Sequence, residues 1–146
     1  MVVTIIRSAL AIVVGFILGS IVNMGIVIFG GILVPPPEGV DVMDVESIKA
    51  SMHLYEAKHF VVPFLAHALG ALVGAIGAFF IAGCRRAIHA YVIGGLFLVG
   101  GIAASMMMPA PGWFVALDLI VAYIPMAWLA TKIGGRFADA GSATAG

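Results

Sequence analysis

Three residues of the stretch "HLYEAKH", His53, Glu56 and His59, repeat at a spacing of three, and two further polar side chains, His67 and Asp118, stand inside apolar runs. Positions three or four apart share one helical face. The first three therefore offer two imidazoles and a carboxylate to a single ion, a mixed nitrogen and oxygen donor set of the kind that zinc or iron takes. The other two offer different chemistry. An ionisable side chain within a membrane helix faces protein or water and has a partner. His67 lies seven residues beyond Phe60, about 10 Å of helical rise, and Asp118 lies five residues beyond Trp113. The two are at comparable depth, so an ion pair or hydrogen bond is expected between them. Asn23, on a ridge with Ala11, Gly15 and Gly19, is a second possible partner. His67, Asp118 and Asn23 are thus the candidate ligand or proton site, and His53, Glu56 and His59 the candidate metal site.

The Glu-xx-His element of "EAKH" resembles the one by which helical di-iron proteins hold their metals. Those proteins recruit carboxylates from several helices, whereas Asp118 is the one carboxylate inside an apolar run here. Met106, Met107 and Met108 add soft sulfur donors of a kind that suits Cu(I), although methionine also serves to fill packing gaps. His67 and His89 fall in opposite halves of their helices, which argues against a haem clamped between them. Cys84 is the single cysteine, so no internal disulfide forms. No nucleophile elbow or phosphate loop is present in the sequence.

The elements that must position these residues follow from composition. Of 146 residues, 63% are hydrophobic and 10% charged, with a mean hydropathy of +1.20. A soluble domain of this length cannot hide so much apolar surface, so the lipid bilayer is the expected partner. A net charge of zero gives no attraction to nucleic acid. Apolar runs over about 5–34, 60–84, 87–108 and 113–133 are each long enough for a helix to cross a hydrocarbon core of roughly 30 Å. The expected fold is an all-α integral membrane protein: a four-helix bundle over 1–136, with an outer loop over 35–59 and a disordered tail over 137–146. The first run extends past the length of a signal-peptide core and is read as a retained helix.

Pro35, Pro36 and Pro37 stop the first helix. Asp44 then caps a short amphipathic helix with Ile48, Met52 and Tyr55 on one face, suited to a membrane surface. In the second span Pro63 removes a backbone donor, so a joint is expected there between surface helix and span. Below it Gly70, Gly74 and Gly77 line the face that carries His67, while Val61, Leu65, Leu69, Leu72, Ile76 and Phe79 line the other. Arg7, Arg85, Arg86, Lys132 and Arg136 fall at alternate span ends. By the positive-inside rule both termini are cytoplasmic and loop 35–59 is outside, as in a bacterial inner membrane.

In size and helix count the chain resembles the small multidrug transporters, which dimerise around an acidic residue of the first helix; Asn23 stands at the comparable position. It is also similar in length to the membrane glutathione enzymes, but it lacks the buried basic residues on which they depend. The expected function is that of a non-catalytic homo-oligomer or accessory subunit of a larger membrane complex, with an outward-facing polar pocket. The alternatives are a proton- or metal-coupled carrier and a metal-dependent membrane enzyme.

Overall fold

The computed structural model describes the backbone of residues 2–143 and the side chains of 2–138. Among these residues there is no strand. The helices are α1 (Val2–Leu33), α2 (Val45–Ala50), a 3-10 turn (Met52–Leu54), α3 (Ala57–Ala82), α4 (Arg86–Met107), α5 (Gly112–Val121) and α6 (Ile124–Ala143). Four units are long and apolar enough to cross a membrane: α1, α3, α4 and the stretch Gly112–Ala138, which includes α5 and most of α6.

α3 is the central element, packed against α1, α4, α5 and α6. Its contact with α1 is the most extensive, and missing side chains make it possible. A Cβ added to Gly15 would stand 2.7 Å from the Gly74 carbonyl, and one on Gly19 2.6 Å from the Gly70 carbonyl. The reverse substitutions at Gly70 and Gly74 meet the carbonyls of Gly19 and Gly15 at 2.9 and 2.7 Å. Backbone thus lies on backbone, the close approach that small residues allow. On its other sides α3 contributes Ala75, Ala78 and Phe79 to a core with Ala90, Ile93, Ala127 and Ala130.

Pro63 does not divide α3. Glu56 caps a helix that starts at Ala57 and runs through Pro63 without interruption, so the expected joint lies earlier, at the extended residues Tyr55 and Glu56. The proline, seventh in the helix, lies beyond the four unpaired donors of the first turn, so it removes one bond, that to the His59 carbonyl, without ending the helix. On the bulky face of α3, Val61, Leu65 and Leu69 are exposed, while Phe79 is buried under α6 at Gly134.

The fourth span is in two pieces. Helical bonding closes with Ala122 N–H to Asp118 carbonyl at 2.9 Å and reopens with Ala127 N–H to Tyr123 carbonyl at 2.9 Å. Pro125 has no N–H for the Val121 carbonyl, and a proline is tolerated in the first turn of the new helix. Where composition predicts a disordered tail from 137, α6 continues to Ala143; its alanines favour helix and outweigh Gly141 locally. Residues 144–146 of that tail lie outside the described residues.

Candidate functional site

Asp118 ends the second turn of α5 and turns its carboxylate into the bundle, where the residue is 5% exposed. The α5 side chains three and four positions from it, Phe114, Val115 and Val121, are apolar and cannot satisfy it. The partners come from two other elements. His67 on α3 brings Nδ1 to 3.0 Å from Oδ1 and 2.9 Å from Oδ2. Tyr123, in the break between α5 and α6, donates its hydroxyl to Oδ2 at 2.9 Å. The phenol ring also stacks on the imidazole, with centroids 5.8 Å apart and planes 30° apart.

Each contact has a local cause. Along an uninterrupted helix, residue 123 would be rotated far from 118, because five residues overshoot a turn of 3.6. The break after Val121 removes that constraint. Gly101 on α4 supplies the space: a Cβ there would collide with the Tyr123 hydroxyl and would come within 2.6 Å of the ring carbon that bears it. Tyr123 is 1% exposed and sits with Ala68, Ala71 and Ala122, so the phenol is held by packing as well as by its hydrogen bond.

The arrangement fixes the chemistry of His67. An ionised carboxylate accepts and cannot donate, so with Asp118 ionised both Tyr123 O–H and His67 Nδ1–H point at it. That leaves Nε2 of the neutral ring as a lone-pair site, and no described side chain bonds to it. The His67 side chain is 26% exposed against 6% for that of Asp118, so the imidazole is the accessible member of the pair. A proton arriving at Nε2 gives an imidazolium whose charge the carboxylate offsets.

Asn23 is not bonded to this cluster. Its Cβ packs at 3.0 Å from where a side chain on Gly70 would begin, one turn along α3 from His67. Tyr123 is the member that sequence reasoning missed. Its signal was a tyrosine within an apolar run, five residues after the aspartate and two before Pro125.

The candidate metal residues fall on two separate elements. His53 belongs to the 3-10 turn and Glu56 begins a new helix, so the three do not share one helical face. The His59 Nδ1 accepts from the Glu56 N–H at 2.9 Å, and the Glu56 carboxylate accepts from the His59 backbone N–H, closing a reciprocal cap. Glu56 also pairs with Lys58 at 3.1 Å. Among the described residues no three His, Cys, Asp or Glu side chains are grouped to hold a metal ion. Between this cap and the buried cluster lies an aromatic group, with Phe60 at 4.9 Å from Phe114 and 5.6 Å from Trp113 between ring centroids. These rings, with Val61, Phe64, Leu65 and Leu117, line a shallow apolar groove of about 130 Å³.

His89 lies in the first turn of α4, with Nδ1 3.2 Å from the Arg85 carbonyl. Comparison with known protein families, with characterised proteins and with solved structures finds no match, so the geometry of Asp118, His67 and Tyr123 is the basis for a functional reading.

Proposed function

We infer that the chain is a small multi-pass membrane protein, non-catalytic, that works as a homo-oligomer or as an accessory subunit and holds a proton or polar ligand at His67 and Asp118. The observation that carries this reading is the buried Asp118 carboxylate, bonded by His67 of α3 and by Tyr123 of the break after α5. Ionisable groups inside a bilayer are expensive and mark sites of function. Clustering of Arg7, Arg85 and Arg86 at one end supports an inside position for that end and an outside position for loop 35–59, as in a bacterial inner membrane. The long apolar surface of α1, with Phe29 at 70% and Ile21 at 63% exposed, supports burial in lipid or in a second chain.

Native mass spectrometry of the protein released gently from its own membrane tests the reading by giving copy number, co-purifying subunits and bound metal or small molecule together. A homo-oligomer, or a fixed complement of a second subunit, is expected. A lone monomer under conditions that preserve known membrane complexes would refute it.

A specific observation favours a second reading, that of a proton-coupled carrier. Tyr123 belongs to a helix break and holds the same carboxylate as His67, so a change in protonation acts on a jointed span. Liposomes carrying the protein should then dissipate an imposed pH gradient faster than empty ones, and Asp118→Asn should abolish the difference. Equal rates for protein-bearing and empty liposomes would count against the carrier.

A further inference from the structure

At the end of the bundle opposite loop 35–59, a cavity of about 260 Å³ is lined by Val3, Thr4, Arg7, Gly83, Cys84 and Arg86. Two guanidinium groups from different helices meet there, and both are anchored through the same kind of atom. Arg7 Nε donates to the Ile81 carbonyl at 2.7 Å, and Arg86 Nε reaches the Gly83 carbonyl at 3.4 Å. The terminal nitrogens of both remain available, and among the described residues neither arginine forms a salt bridge.

The turn between α3 and α4 is shaped around them. Gly83 has a φ of +75°, and a Cβ there would stand 2.6 Å from the Arg7 guanidinium carbon, so that group lies directly on the glycine. Arg86 is also steadied by the Phe79 face, with Cζ 5.9 Å from the ring centroid. α4 starts at Arg86, and its preceding residue supplies no side-chain cap, which adds positive character of the same sign.

The geometry points to an anion site at which Arg7 and Arg86 together hold a phosphate group, the charge and shape that paired guanidinium forks bind best. The source that fits the surroundings is the headgroup of an anionic phospholipid. Leu10, Val13 and Ile17, which follow Arg7 along α1 toward the bilayer, are 50–55% exposed and form an apolar wall along which acyl chains can lie. The inference rests on the membrane reading proposed above and is independent of the Asp118 cluster.

The test uses the full-length protein in nanodiscs made from an equal mixture of phosphatidylglycerol and phosphatidylcholine, released into the gas phase to count retained lipids. Failure to enter nanodiscs would refute the membrane reading itself; entry without any anion preference would overturn this proposal alone. Wild type is expected to retain phosphatidylglycerol over phosphatidylcholine. Arg7→Gln and Arg86→Gln are each expected to reduce that preference about fivefold, from the roughly 1 kcal/mol that one basic residue contributes at a charged surface. Arg136→Gln, which removes an exposed charge outside the cavity, should leave it unchanged. Phosphatidylglycerol retention that survives excess inorganic phosphate assigns the site to a lipid headgroup. Binding of inorganic phosphate without lipid preference, lost in both cavity variants, assigns the same site to a free anion. Equal loss in all three variants, or a wild type that prefers neither lipid nor phosphate, would overturn the proposal. Because that last result is read on wild type, misfolding of a variant does not protect the idea.

Discussion

Two groups of histidine and carboxylate side chains meet different fates in this protein. His53, Glu56 and His59 are close in sequence and end up as parts of a turn and a helix cap. His67 and Asp118 are 51 residues apart and end up bonded. Sequence spacing identifies a shared site only along an uninterrupted helix, and the helix is interrupted between residues 53 and 56. Depth within apolar spans is the stronger guide, because a buried polar group with no partner carries the full cost of its desolvation.

That contrast can be broken or sharpened by substitution, read as unfolding free energy in a mild detergent. The largest effect is expected from Asp118→Ala, which strips partners from both Tyr123 and His67 and should cost about 3 kcal/mol or more. A loss no greater than that of a surface substitution would show that the cluster is not a stabilising unit. Gly101→Ala follows, at about 1–3 kcal/mol, since the added methyl group drives the Tyr123 hydroxyl from its place. Its cost should shrink when combined with Tyr123→Phe, a non-additivity that distant sites do not show. Tyr123→Phe alone removes one hydrogen bond and should cost about 1 kcal/mol.

On the other side of the comparison, His59→Ala opens the reciprocal cap and should cost roughly 0.5–1 kcal/mol. His53→Ala, at an exposed position, is expected to change stability by less than about 0.5 kcal/mol. A loss at His53 as large as that at His67→Gln would mean that the loop residues act together after all.

Much of this architecture can be read directly from the sequence. The four apolar runs correspond to the four units long enough to span, and the bond between His67 and Asp118 follows from their depth. Tyr123 was not legible because its place depends on a break in the helix, and Pro125 signals a bend without saying which side chain the bend redirects. The cap at Glu56 was hidden for the opposite reason. Its residue types fit a metal site and a helix start equally well, and only the backbone at Tyr55 and Glu56 distinguishes them. Helix at 137–143 escaped a compositional reading because small residues suit a tail as well as a helix.

The distance between His67 and Asp118 along the chain has a consequence for biogenesis. α3 precedes α5 along the chain, so during synthesis the imidazole of His67 would emerge before the carboxylate of Asp118. A neutral ring bears that interval at far lower cost than a charged one, and the glycine-lined contact between α1 and α3 is already available to shelter the nascent helix. In that order the first helix pair would form before the stretch Gly112–Ala138 arrives, and only then would the histidine gain its carboxylate partner.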